Sequence, residues 1–195
     1  MLNQEILGTL RDLLEQARRC GDPEPGAMNV ATLGEDGRIS ARMVLLKHVD
    51  ERGLTFFTDY RSEKAQAIAV HPQIALTLHW KQVKPAAQVR VEGAAEKLAA
   101  EESDAYFATR RRLAQLGAWA SEQSRTLPGR ELLEQRVTEY EREFEGGEVP
   151  RPPHWGGYRV IPDMVEFWYA HEHRLNERIR WDLIDGEWRK RLLYP

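Results

Sequence analysis

The feature that most constrains this chain is a succession of short β-prone runs joined by tight-turn signals, which dominates residues 27–98 with one short helix among them and resumes in the last third. From Met28 to Asp50 two such runs flank Glu35-Asp36-Gly37, a pattern typical of hairpin turns. Leu54–Thr58 supplies a third run, and Ile74–Trp80 and Ala87–Leu98 two more, joined across Lys84-Pro85. After a helical stretch, strands return at Tyr158–Ile161, Val165–Tyr169, Ile179–Leu183 and Trp188–Leu193, with Asp185-Gly186 as a further turn. No βαβ alternation appears, so a parallel sheet is excluded. The pattern predicts an α+β protein built on a mainly antiparallel β-barrel with peripheral helices.

Those helices are legible too. Leu2, Ile6, Leu7, Leu10, Leu13, Leu14 and Ala17 recur at helical spacing, so residues 2–19 read as an amphipathic helix, ended by Gly-Asp-Pro-Glu-Pro-Gly at 21–26. Ser62–Val70 is helix-compatible with Ser62 as a candidate N-cap. Residues 100–145 read as helices broken near Ser124–Gly129. At 195 residues the chain suits a single domain, 1–195.

Charge narrows the function. A net charge of −3 argues against a general nucleic-acid binder, so any anion binding must be local. No apolar run approaches the roughly 18 residues of a membrane span, and the N-terminus does not read as a targeting sequence. Cys20 is the only cysteine, which suits a reducing cytoplasm. Motifs for dinucleotides, P-loop nucleotides and α/β-hydrolase chemistry are absent.

Four constellations could carry chemistry. In Arg42-Met43-Val44-Leu45-Leu46-Lys47 two cations bracket an apolar strand. Residues five apart on a strand face opposite sides, so both meet one ligand only at a strand end or bulge; otherwise this is a core strand with snorkelling ends. Phe57-Thr58-Asp59-Tyr60-Arg61-Ser62-Glu63-Lys64 joins a strand end to a helix start, offering N–H groups, hydroxyls and cations to an anion, or simply a capped surface helix. Tyr106 and Arg110 are four apart, which on a helix would let them clasp a phosphate, although a run such as Arg110-Arg111-Arg112 is usually a solvated face. Trp168, Arg174 and Arg178 suit an aromatic anion through stacking and bidentate hydrogen bonds. His171-Glu172-His173 aligns only two histidines and lacks a third ligand, so no metal is expected.

Taken in order, RMVLLK at 42–47, FFTDYRSEK at 56–64, LGAWASEQS at 116–124, GGEVPRPPHWGGYRV at 146–160 and EFW…EHRLNERIRW at 166–181 resemble the pyridoxamine 5'-phosphate oxidase family. The resemblance implies a split β-barrel homodimer with FMN at the subunit interface. It implies FMN contacts from Arg42 to Lys47 and from Phe57, Thr58, Ser62, Lys64, Gln88, Gln123, Ser124, Trp168 and Arg178. It makes Lys47, Tyr106 and Arg110 the substrate-phosphate cradle, puts Arg174 over the substrate ring as the catalytic residue, and adds Asn176 as a substrate contact. The implied reaction oxidises pyridoxamine or pyridoxine 5'-phosphate to pyridoxal 5'-phosphate and reduces O2 to H2O2.

The chain departs from the family pattern at several positions. Glu63 stands where a cation is usual, Ala114 where a serine completes the cradle, and Asn176 where a histidine contacts substrate. Ala87 precedes Gln88 in place of an arginine, Ala170-His171 replaces a glycine pair, and the loop after Trp80 is about two residues longer than usual. Two alternatives follow: a related FMN oxidase acting on another aromatic substrate, as in phenazine biosynthesis, or a non-catalytic protein that holds flavin or pyridoxal phosphate.

Overall fold

The computed structural model describes all residues, Met1–Pro195. Nine strands form one curled antiparallel sheet: β1 (Ala27–Leu33), β2 (Ile39–Leu45), β3 (His48–Asp50), β4 (Gly53–Asp59), β5 (Gln73–Trp80), β6 (Ala87–Lys97), β7 (Trp155–Tyr169), β8 (Glu177–Ile184) and β9 (Glu187–Leu193). The main path runs β2-β1-β5-β6-β7-β4-β3. Five helices surround it: α1 (Gln4–Arg19), α2 (Glu63–Val70), α3 (Ala100–Ala108), α4 (Arg112–Ala120) and α5 (Arg130–Glu143).

The sheet forks at β7. One edge of this strand pairs with β6 over nearly its whole length, whereas the other holds β4 from Trp155 to Val160 and β8 from Met164 to Tyr169. The sequence pattern places two strands here, Tyr158–Ile161 and Val165–Tyr169. Instead the strand continues through a bulge: Glu92 faces Met164 and Gly93 faces Pro162, which leaves Asp163 unpaired. Gly93 is required there, since a Cβ would overlap the Ile161 carbonyl. Asp163 is held at the bulge by the Gln73 side-chain amide, 2.6 Å.

The barrel core contains Phe56, Leu76, Leu78, Val89, Val91 and Val165, all at most 2 % exposed, and α1 closes over it with Ile6, Leu10, Leu13, Leu14 and Ala17. Burying such a leucine or isoleucine fully stabilises by about 1.5–3 kcal/mol. Asn3 caps α1 by accepting from the Ile6 N–H, 2.8 Å. A second, smaller core of Phe107, Leu116, Ala118, Val149 and Trp155 packs under α3–α5, with Trp119 against Tyr140 and Phe144. A cleft is lined by Ala118 and Trp155 of the second core and by Val44, which packs against the first. No helix is long and apolar enough to cross a membrane.

Candidate functional site

The cleft, about 800 Å³, is walled by β2, the end of β4, α2, the α3–α4 link and the segment after α4. Arg42 and Lys47 both reach it, because β2 ends between them. After Leu45 the chain leaves β1: the Leu46 N–H donates to Gly26 O and the Lys47 N–H to Thr55 O, each 2.8 Å. This crossing between strand partners provides the strand end that the spacing demanded. Met43, Val44 and Leu45 also line the cleft, whereas Leu46 turns into the barrel core.

At one end, Lys64 is 8 % exposed and surrounded by neutral acceptors. Its ammonium donates to Gln123 Oε1 at 2.7 Å, Thr58 Oγ1 at 3.1 Å and Ser62 Oγ at 3.3 Å. Burial, and then the charge of Arg42, pushes its pKa below the usual lysine range. Arg42 donates to Val30 O at 3.3 Å, Thr32 Oγ1 at 2.7 Å and Ser40 Oγ, again all uncharged. Burial depresses its pKa as well. Asp59, the one carboxylate on the cleft wall, is taken by Arg61, whose side chain chelates it at 2.7 and 3.1 Å and whose N–H donates at 2.7 Å. Although burial raises the Asp59 pKa, these hydrogen bonds outweigh it and hold the carboxyl below its ordinary value.

Ser62 occupies the N-cap position of α2, but its hydroxyl donates back to Asp59 O at 2.7 Å and does not cap the helix. The cap comes from elsewhere: the Glu63 N–H donates to Ser124 Oγ at 3.3 Å, with Ser124 in the left-handed region at φ 71°. Gln123 and Ser124 therefore fasten the segment after α4 onto the start of α2.

At the other end, rings form a layered wall. Phe57 stacks on Tyr106 with centroids 3.9 Å apart and on Trp155 at 5.4 Å. Gly157, opposite Phe57 on β7, makes room for that ring. Arg110 lies 4.5 Å over Trp155, and its buried Nη1 has no hydrogen-bond partner. Tyr106 and Arg110 do meet in the cleft, but not through helical spacing: α3 ends at Ala108, and Thr109 Oγ1 closes the turn onto Tyr106 O at 2.7 Å. The 100–120 stretch is thus two helices, where the sequence suggested no break. Trp155 was missed as a wall residue; its signal is a large aromatic placed just before Gly156-Gly157 at a strand start.

Beside Leu46, Ser62 and Ser124, five further expected site residues do not line the cleft. Gln88, Trp168 and Arg178 are directly opposed across β6, β7 and β8 and form one row. Trp168 is thirteen residues from Trp155, at the far end of β7, about 40 Å along an extended strand. Arg178 chelates the buried Glu166 carboxylate at 2.9 and 3.1 Å. Arg174 follows in the β7–β8 connection, with His173 and Arg174 both left-handed at φ 54° and 62°. Asn176 Oδ1 accepts from the His171 N–H at 3.1 Å and so closes this loop on itself.

A forked antiparallel sheet with a cation-lined cleft beneath its helical layer defines the split-barrel class, whose structural neighbours include FMN-binding proteins. A family model described as pyridoxamine 5'-phosphate oxidase matches residues 13–143, and one described as the pyridoxine 5'-phosphate oxidase C-terminal dimerisation region matches residues 155–195. The chain belongs to the pyridoxamine 5'-phosphate oxidase family. It is 47% identical over 195 residues to a pyridoxine/pyridoxamine 5'-phosphate oxidase of Myxococcus xanthus, covering 100% of this chain and 94% of that one. A protein of the same name from Xanthomonas euvesicatoria is 48% identical, with 100% and 98% covered. Among solved structures, PhzG from Burkholderia lata in complex with tetrahydrophenazine-1-carboxylic acid superposes with a TM-score of 0.91 at 30% identity, covering 100% of this chain and 98% of that one.

Proposed function

We propose that this protein is an FMN-dependent oxidase that converts pyridoxamine 5'-phosphate or pyridoxine 5'-phosphate to pyridoxal 5'-phosphate, working as a homodimer with O2 as acceptor. One observation carries the reading. The cleft wall bears Arg42, Lys47, Lys64, Arg110 and Arg111, while its single carboxylate already belongs to Arg61. Five cations without a carboxylate partner suit two phosphate groups, each carrying close to two negative charges at neutral pH. The unpartnered Arg110 Nη1 and the neutral surroundings of Lys64 fit FMN at one end and a phosphorylated substrate at the other.

Arg42 and Lys64 would hold the FMN phosphate, with Thr58, Ser62 and Gln123 orienting the lysine. Lys47, Tyr106 and Arg110 would hold the substrate phosphate. When bound, FMN supplies the two-electron acceptor for the hydride lost from the substrate C4' carbon and passes the electrons to O2, which leaves as H2O2. The chain's own task is to hold the two ring systems together and fix their charges. Gln88, Trp168 and Arg178, remote from the cleft of their own chain, would serve the cleft of the second subunit, and the match to a dimerisation region over 155–195 supports this. Arg174 would reach the substrate ring from the same side. Its left-handed backbone is a strain of the kind that collects at functional sites.

Aerobic turnover of the FMN-loaded protein with either phosphorylated substrate tests the reading: pyridoxal 5'-phosphate and H2O2 should form in equal amounts. Absence of both products with either substrate would overturn it. The likeness to PhzG and the missing hydroxyl at Ala114 favour one second reading, an oxidase of a non-phosphorylated aromatic acid. That reading predicts flavin reduction by a reduced aromatic carboxylate but not by pyridoxamine 5'-phosphate.

A further inference from the structure

The run Arg110-Arg111-Arg112 does not behave as one solvated face. Arg110 turns over Trp155 into the cleft. Arg112 is structural: its guanidinium donates to Phe144 O at 2.6 Å and Gly147 O at 2.8 Å, which ties the start of α4 to the end of α5. Arg111 does neither. It stands at the N-cap position of α4, lines the cleft beside Arg110 and Ala114, and has no ion-pair or hydrogen-bond partner for its side chain. An arginine left unpaired at the mouth of a site whose neighbouring guanidinium also lacks an acceptor is suited to clasp the same anion, since a planar fork recognises phosphate oxygens in pairs.

From this we infer that Arg111 is a substrate-specificity residue: a second guanidinium on the substrate's phosphate group, supplying the contact that Ala114, lacking a hydroxyl, cannot make. This rests on the oxidase reading above. Arg111 is exposed, so its contribution is screened, whereas Arg110 is half-buried and supplies the stronger hold. Arg111 acts on the substrate's group and not on that of FMN, which Arg42 and Lys64 serve.

The test uses FMN-loaded protein and two independent readouts. In steady state, Arg111→Ala should raise KM for pyridoxamine 5'-phosphate about fivefold, and more at low than at high ionic strength. Arg111→Lys should recover part of the loss, and Arg130→Ala, an exposed α5 cation outside the cleft, should leave KM alone. In calorimetry, inorganic phosphate should bind the FMN-loaded parent more tightly than the Arg111→Ala protein, with equal FMN content in both. If the parent turns over and Arg111→Ala has the parental KM, the Arg111 assignment fails while the oxidase reading stands. If the parent does not oxidise the substrate, the oxidase reading fails. Phosphate binding then decides Arg111 alone: weaker binding by the variant upholds its anion role, and equal binding overturns it.

Discussion

The cleft and the Gln88–Trp168–Arg178 row both carry arginines suited to a flavin, yet their charges are balanced in opposite ways. In the cleft Arg42 and Lys64 donate only to neutral oxygens, and burial weakens their hold on their protons. In the row Arg178 chelates Glu166, which is 2 % exposed, and Arg90 reaches the same carboxylate at 3.5 Å. Its charge is neutralised from within, and Glu166 strengthens its hold on the proton. Arg42 and Lys64 thus have no carboxylate in an ion pair with them, whereas Arg178 is balanced within the row and can offer hydrogen bonds but little net charge.

The largest expected effect tests whether these halves belong to one site. Lys64→Ala should weaken FMN binding roughly ten- to hundredfold, the loss of a charge-assisted contact to phosphate. Trp168→Ala should weaken it also, through lost stacking. Unfolded and refolded together, the two variants should form mixed dimers in which one cleft combines the intact halves, and FMN binding should recover at that cleft. Titration of the mixture that recovers no high-affinity FMN would show that the halves do not meet across subunits.

The second effect is on stability. Glu166→Gln removes the carboxylate that Arg178 and Arg90 share and should cost about 2 kcal/mol, less than a fully buried pair because both arginines are partly exposed. Chemical denaturation measures this directly. An unchanged midpoint would mean that the Glu166 carboxylate does not stabilise the row.

The contrast also explains what could be read in advance. The helix α1 was legible because its apolar residues repeat at helical spacing, and the turn at Glu35-Asp36-Gly37 because the residues after it resume β-prone alternation. The three-residue β3 was too short to leave a pattern, and the continuity of β7 was not legible because it depends on a bulge opposite Glu92 and Gly93 on another strand. Arg42, Lys47, Thr58, Lys64, Tyr106, Arg110 and Gln123 come from four separate segments, and the fold brings them to one cleft. The cap on α2 was not legible, since Ser124 lies 61 residues from the Glu63 N–H that it accepts from. Nor was the pairing of Arg178, because its partner Glu166 becomes a neighbour only through the register of β7 against β8.

A smaller change adjusts the cleft's charge without touching its hydrogen bonds. Glu63 is exposed beside Arg42 and Lys64, and its charge opposes anion binding. Glu63→Arg should therefore tighten FMN binding roughly three- to fivefold at low salt, with the gain shrinking as salt rises. Fluorescence titration across ionic strengths would reveal it; equal affinity at every salt concentration would place Glu63 outside the field felt by the phosphate.

The smallest effect follows from Lys64 itself. Burial and Arg42 lower its pKa in the folded protein below the ordinary 10.5, so the unfolded chain holds this proton more tightly than the folded one. Protonation then favours unfolding, and the FMN-free protein should gain stability as pH rises from the depressed value toward 10.5. Bound phosphate should cancel this dependence, because an anion beside the ammonium restores its affinity for the proton. Thermal unfolding of FMN-free and FMN-loaded protein across that window, for the parent and for Lys64→Met, isolates the lysine from every other titrating group. The FMN-free parent should show a steeper rise than the variant, and FMN should abolish the excess. Identical slopes in the two FMN-free proteins would mean that Lys64 is not held at a disadvantage, and the cleft would lose its claim to be waiting for an anion at that end.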